Sequence, residues 1–304
     1  MAAASLAASR RPGRPGAASR RRTINNIMTG VLWAAALSII VLLAFFVGYI
    51  LYLGAPAMSW HFLSAPPSEL AAGGGIGPEI FNSFYILILT LIFTTPIATA
   101  GGIYLQEYAR PGLFTSAVQF CAESLATIPS IVMGLFGLLV FVTLLHWHFT
   151  ALGGALTLTI LNLPALMRVT QEALQTVPSA FREGSMALGA TKWQTIRRVV
   201  LPSAIAPLTT GVVLIAGRIF GETAALIFTA GVSVSAGKSA YDFGLFHQAE
   251  TLSVHLWYVH SEGLVPDAAQ VGNGSALVLL VMVLIFNIGA RLLGYALNKR
   301  LTGK

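Results

Sequence analysis

The sequence predicts an all-α polytopic membrane protein, and three observations carry that prediction. Only 10% of the 304 residues are charged while 56% are apolar, with a mean hydropathy of +0.77. An ordinary soluble domain carries about 25% charge. The apolar residues are gathered into six blocks of bilayer-spanning length, about 20 residues each as helix. Lys and Arg alternate from loop to loop between those blocks. So little charge cannot cover a globular surface in water, which excludes a soluble enzyme. The blocks are too long for the roughly 10-residue alternating segments of a membrane barrel, so they are read as helices. A single cysteine, Cys121, excludes a disulfide framework, a cysteine-based zinc site and an iron–sulfur cluster, and is expected to be a small packing residue near a membrane boundary.

Residues 1–25 are Ala, Arg, Pro, Gly and Ser without apolar periodicity and read as a disordered cytoplasmic tail, leaving 26–304 as the membrane domain. The first block, residues 27–53, exceeds the 7–15 apolar residues of a signal peptide and reads as an uncleaved first span. The second block covers 80–105, and Gly77-Pro78-Glu79 before it has the form of a helix start. The remaining blocks are 125–145, 150–167, 202–230 and 275–297. Pro96, Pro129, Pro164, Pro202 and Pro207 punctuate them, as ordinary kinks or as marks of a bundle with a cavity or moving parts.

Orientation follows from the basic residues. Six arginines precede the first block, Arg110 follows the second, and Arg168, Arg182, Lys192, Arg197 and Arg198 lie between the fourth and fifth. Arg291, Lys299, Arg300 and Lys304 close the chain, and Lys238 is the only basic residue assigned to an outer loop. Both termini are therefore expected to be cytoplasmic. The net charge of +7 is an orientation signal, with no nucleic-acid partner implied.

No catalytic constellation is visible. His61, His146, His148, His247, His255 and His260 all fall in outer loops and read as interfacial or loop histidines. The run from Gly231 to Ser239, G-V-S-V-S-A-G-K-S, has one residue too many between its glycines for a nucleotide-binding loop. It also lies on the outer side. The chain thus has no ATP site of its own and no expected cofactor.

Two features stand above the background. One is the polar, basic inner loop 171–200, where Gly189 divides two short helical stretches and permits a sharp turn. Such an elbow forms a knob for a partner's groove, although composition alone reads as a solvated loop. The other is Arg218 with Glu222 in the fifth block, four residues apart and expected to share a helix face. Arg218 would lie roughly 20 Å from the inner end of its helix. A charge at that depth costs at least about 2.5–3.5 kcal/mol, so it should face protein or a water-filled path. The pair reads either as a structural ion pair or as an anion station, because guanidinium presents a planar fork of donors to oxyanions. Arg168, at the inner end of the fourth block, is a second station or an inside anchor.

The stretch from Glu183 to Pro202, E-G-S-M-A-L-G-A-T-K-W-Q-T-I-R-R-V-V-L-P, resembles the E-A-A loop of ABC importer permeases. Glu183-Gly184-Ser185 stands for the triplet, Gly189 falls at the family's glycine, and Leu201-Pro202 closes the pattern. Both alanines of the triplet and the isoleucine near the end are replaced. G-I-G-P-E-I-F-N-S-F-Y-I-L, G-I-Y-L-Q-E-Y-A, I-P-S-I-V-M-G-L-F-G, G-R-I-F-G-E-T-A-A-L and L-S-V-H-L-W-Y-V narrow the resemblance to phosphate-specific permeases of the PstA type, over residues 75–291.

That resemblance implies a type I ABC importer (MetI-like) permease fold with six transmembrane helices in the bacterial cytoplasmic (inner) membrane. It implies import of inorganic phosphate together with a second permease of the PstC type, a pair of ATPase subunits and an extracytoplasmic phosphate-binding protein. ATP and Mg would be bound by the ATPase alone. Glu183, Gly184, Ser185, Ala187, Gly189, Leu201 and Pro202 would couple this chain to it. Arg218, Glu222 and Arg168 would line the substrate path. The aromatics of the outer segment 241–262 read as headgroup-level anchors or as a contact for the binding protein. The alternatives are a permease for another oxyanion or small polar solute, and an ion-driven secondary transporter. The latter would be expected to carry acidic residues deep in several helices.

Overall fold

Every regular element among the described residues is helical. The computed structural model describes residues 15–68, 71–232, 241–263 and 265–302, and the chain divides into two units, 1–52 and 53–304.

The first unit is formed by α1 (Pro15–Gly54), whose last two residues enter the second unit. It is apolar on all faces over most of its length, as a membrane span is. Its 40 residues rise about 60 Å, twice the roughly 30 Å of bilayer hydrocarbon. Residues 15–25 were expected to belong to a disordered tail and are helical instead. Proline suits a first turn, and alanine and arginine are strong helix formers even where no apolar face exists. Residues 1–14 of that tail lie outside the described residues.

The second unit starts with a 3-10 turn (Ala55–Ala57) and the short α2 (Trp60–Ser64), capped by the Ser59 hydroxyl accepting from the Phe62 amide at 3.1 Å. α3 (Gly77–Ile103) begins at the expected Gly-Pro-Glu and continues through a π turn to Tyr108. The block at 125–145 is not one span. α4 (Leu113–Thr127) and α5 (Ser130–Gly137, continued by a π turn to Leu144) meet at 101°. Pro129 cannot donate a helical hydrogen bond and forces Ile128 into an extended conformation, which breaks the helix there. Cys121 is exposed on α4, which buries none of its residues, so the thiol has no packing role within this chain.

α6 (Ala151–Gln175) outruns its apolar block by two turns, because the polar residues after Met167 are good helix formers. α7 (Ser179–Ala187) and α8 (Lys192–Thr195) form the expected elbow. A π turn (Ile196–Val200) and α9 (Leu201–Ser203) lead into α10 (Ile205–Phe220), bent by 69° from the helix before it. The fifth block therefore ends at Phe220 rather than residue 230, and α11 (Ala224–Ile227) is a separate turn. α12 (Leu252–Ser261) and the long α13 (Ala268–Thr302) complete the chain. Among the described residues four helices are long and apolar enough to cross a membrane, or up to six if each bent pair is one span.

α3 and α6 form the axis of this unit and run in the same direction. Thr159 of α6 sits beside the Thr90 carbonyl of α3, and Thr170 beside Gly102 further along both. A Cβ on Gly102 would lie 2.6 Å from the Thr170 Cβ, so only glycine permits this approach. Ile86, Leu87, Leu158 and Leu166 fill the axis, and Ile219, Leu226 and Leu252 extend it. A separate apolar cluster (Ile103, Leu174, Val177, Ile196 and Val200 among its members) seats the base of the α7–α8 elbow on the ends of α3 and α6.

Candidate functional site

The elbow is built to project. Gly189 turns the chain with φ of +87°, a backbone that other residues adopt only under strain. Thr191 caps α8 reciprocally with Gln194, a capping box that fixes the second leg, and the Ser185 and Thr195 hydroxyls join the legs at 2.9 Å. Arg182 fastens the elbow to the end of α3. Its guanidinium donates to Glu107 at 2.7 Å and to the Leu174 and Val177 carbonyls at 2.8 and 2.7 Å. Past this joint the surface is apolar and bare: Phe181, Met186, Leu188 and Trp193 are exposed, Leu188 to 91%. Among the residues expected to couple, Glu183, Gly184, Ala187 and Gly189 are exposed, Ser185 is half-buried, and Leu201 and Pro202 lie at the base. Exposed apolar side chains held on a rigid, capped turn are suited to filling a groove on another protein.

Arg218 occupies the last turn of α10, where the partial negative charge of the helix end favours a cation. The guanidinium is exposed and makes no ion pair among the described residues. The expected shared face with Glu222 does not exist. α10 ends at Phe220 and Gly221 caps it, with the Gly221 and Glu222 amides turning back to the Arg218 and Ile219 carbonyls. Glu222 is thus past the helix, and its backbone carbonyl accepts from the Ser253 hydroxyl of α12 at 2.9 Å. The Arg218 guanidinium makes no hydrogen bond among the described residues.

Arg168 lies elsewhere. It lines a cleft of about 480 Å³ between α4 and α6, with Gln119, Glu123, Gln171, Glu172 and Gln175 as its polar neighbours. Its Nε donates to Glu172 at 3.2 Å, one turn further along α6, and both side chains are largely exposed. Arg218 and Glu222 do not line this cleft. Two carboxylates and one guanidinium line it, so an anion approaching Arg168 competes with Glu172 for its donors.

The opposite end of α3 holds a cluster that the sequence reading passed over. Glu79, Glu250 and His255 are buried with ligand-capable atoms within 4.8 Å of one another. His255 Nδ1 lies 3.1 Å from Glu250 Oε1 and 4.0 Å from Glu79 Oε1. Burial alone would lower the His255 pKa, but the hydrogen bond and charge of Glu250, with the charge of Glu79, leave it raised above its ordinary value. His61 and His260 are exposed, and His146 and His148 sit in a left-handed turn, as loop histidines do. His247 is half-buried with its ring stacked on Tyr85, and His255 is buried. Glu79 had looked like a helix-dipole complement and His255 like an interfacial ring, and nothing in their spacing joins positions so far apart. The aromatic outer segment is partly used within the chain: Tyr241 and Phe243 pack edge-on against Phe81.

An all-helical bundle of this order, with a capped elbow at one end, has the architecture of a type I ABC importer permease. The chain belongs to the family of binding-protein-dependent transport system inner membrane components, which it matches over residues 97–303. It is a multi-pass membrane protein and an ABC permease subunit. The probable ABC transporter permease protein YqgI of Bacillus subtilis (strain 168) is 42% identical over 290 residues, covering 93% of this chain and 99% of its own length. The phosphate transport system permease protein PstA of Xylella fastidiosa (strain 9a5c) is 34% identical over 231 residues, 76% of this chain and 77% of that one. Among solved structures, a bacterial alginate ABC transporter in complex with an alginate pentasaccharide-bound periplasmic protein superposes with a TM-score of 0.68 at 16% identity, over 92% of this chain and 98% of that chain.

Proposed function

We propose that this chain is the membrane permease of an ATP-driven importer of inorganic phosphate, resident in the bacterial inner membrane with both termini cytoplasmic. The observation that carries the reading is Arg218, a guanidinium at the end of an apolar helix with no counter-ion among the described residues. Keeping such a charge in a membrane segment is costly unless water, a passage or an anion meets it. Its planar donors suit a tetrahedral oxyanion. The relative whose name specifies phosphate transport supports the choice of substrate, as does the stretch from Gly217 to Leu226 that resembles PstA-type permeases.

The partners follow from what the chain lacks. It forms half of a path, completed by a homologous permease of the PstC type. A phosphate-binding protein delivers the ion to the outer face. Phosphate pauses at Arg218, whose charge offsets the cost of leaving water. Glu222, placed past the helix end, keeps Arg218 from becoming a permanent trap, since conduction needs release as well as entry. Arg168 receives the ion lower down by exchanging Glu172 for it. The elbow docks its apolar tip into an ATPase subunit, one of a pair, which binds ATP and Mg. Arg182 transmits the resulting movement to α3 and α6.

The test is labelled-phosphate uptake by vesicles containing the complete complex. Arg218→Gln, at normal expression and assembly, is expected to abolish most ATP-dependent uptake. Unchanged uptake would remove Arg218 from the path. Equal competition by sulfate or molybdate would favour the broader oxyanion reading, and uptake driven by a proton gradient without the ATPase would favour a secondary transporter.

A further inference from the structure

We propose that Glu79, Glu250 and His255 form a binding site for one divalent metal ion of the zinc class, which fastens α12 to the start of α3. The inference does not depend on the transported substrate. It rests on charge, on unmet bonding and on distance.

Charge comes first. Glu79 is fully buried, and a carboxylate there needs a cation beside it. A divalent ion held by Glu79 and the neutral imidazole would supply that charge. All three residues are almost fully buried, and an uncompensated buried carboxylate costs several kcal/mol.

Unmet bonding comes next. Both oxygens of Glu79 are buried without a hydrogen-bond partner. Asn82, one turn along α3, is in the same condition: its Nδ2 donates to the Glu250 carbonyl at 3.1 Å while its Oδ1 has no partner. Buried polar atoms in folded proteins are nearly always satisfied, so several such atoms around one point mark a missing bonding partner.

Distance selects a metal. Tetrahedral zinc with bonds of about 2.0–2.1 Å to nitrogen and oxygen sets its ligand atoms about 3.3–3.4 Å apart. The measured separations from His255 Nδ1 are 3.1 Å to Glu250 and 4.0 Å to Glu79, on either side of that value. One imidazole with two carboxylates suits zinc and its first-row neighbours better than calcium or magnesium, which prefer oxygen alone. On binding, the imidazolium form releases its Nδ1 proton to solvent, and the neutral ring, still protonated at Nε2, gives the Nδ1 lone pair to the ion. Water or Asn82 Oδ1 completes the coordination. A small cavity lined by Ser68, Gly75, His255 and Asp267 adjoins the ring and gives the ion a way in.

Such an ion would hold more than its ligands. The start of α12 is already tied to α3 by the Leu252 amide donating to Ser83 Oγ at 2.9 Å. It is tied to the turn after Arg218 by Ser253. A metal at Glu79–Glu250–His255 therefore sets the position of the segment that follows Arg218.

The full chain, purified with a histidine-free tag and stripped with chelator, is titrated with Zn2+ and analysed for bound metal. One zinc per chain is expected, with a thermal transition raised by zinc. Glu79→Gln and His255→Gln should each weaken binding by more than the about 10–100-fold that loss of a second-shell partner costs. His61→Gln, on an exposed ring, should not. Zinc binding that is absent in the wild type, or unaltered in both ligand variants, overturns the proposal. Higher stability of metal-free Glu79→Gln with no zinc response in the wild type also overturns it and identifies a shared proton instead. Should the variants fail to fold, Co2+ added to the wild type decides: tetrahedral ligand-field bands saturating at one equivalent support the site, and the spectrum of hydrated Co2+ alone rejects it.

Discussion

Two Arg–Glu pairs sit at the elbow end of the bundle, and they differ in separation along the chain, in distance and in burial. Arg182 and Glu107 meet at 2.7 Å with side chains 20% and 9% exposed, across 75 residues of sequence. Arg168 and Glu172 meet at 3.2 Å one helical turn apart, with side chains 70% and 63% exposed. The first guanidinium also spends donors on two carbonyls, and water can replace none of these partners. The second is bathed in a cleft where water or an anion competes for it at little cost. Equal chemistry thus yields a fixed joint in one place and an exchangeable contact in the other, and burial is the variable that separates them.

The largest effect expected from breaking this contrast is at the joint. Arg182→Ala leaves the Glu107 carboxylate and two carbonyls without their donor, and loss of one partner of a buried pair costs about 3 kcal/mol or more. Denaturant titration of the purified chain measures it. The same variant should separate ATP hydrolysis from transport in the assembled complex, because the elbow is no longer tied to α3. A cost below about 1 kcal/mol would place Arg182 with the surface pairs.

A second route reaches the joint without touching a charge. Gly102 lies just before the π turn that carries Glu107, where α6 approaches too closely for any side chain. Gly102→Ala places a methyl against Thr170, and overpacking of that kind costs about 1–3 kcal/mol. The expected signature is a lower denaturation midpoint together with weaker ATPase coupling. Full coupling would show that the α3–α6 contact and the elbow act independently.

How far these regions were legible in the sequence depends on what makes them. The elbow could be read because its determinants are local: Gly189 for the turn, Glu183 and Leu201-Pro202 at family spacing, and basic residues that mark its side of the membrane. The start of α3 was equally plain from Gly77-Pro78-Glu79. The break at Pro129 was visible as a proline but not as a 101° turn, because hydropathy runs on across it. The end of α10 was hidden for the same reason, so Arg218 and Glu222 were given a shared face that the chain does not form. The buried cluster was out of reach altogether. Its members stand on α3, on a loop and on α12, and only packing brings Glu79 to Glu250 and His255.

The smallest effect on stability should come from Arg168, and it sharpens the contrast most. A solvent-exposed pair at this helical spacing is worth about 0.3–0.5 kcal/mol, screened further by salt. Arg168→Ala should therefore leave the denaturation midpoint almost unmoved at low ionic strength and fully unmoved at high. Its effect belongs in transport. If the cleft passes phosphate from Arg218 toward the elbow side, removing Arg168 leaves Glu123 and Glu172 as two unopposed negative charges facing an anion, and ATP-dependent uptake should fall by more than stability can explain. Glu172→Gln then tests the exchange itself. With its carboxylate gone, Arg168 holds the anion more tightly, so substrate should bind at lower concentration but leave more slowly. The expected outcome is a reduced half-saturation concentration together with a reduced maximal rate. A change in neither quantity, with Arg168→Ala equally silent, would confine Arg168 to the inner end of its helix as a surface charge with no share in the path.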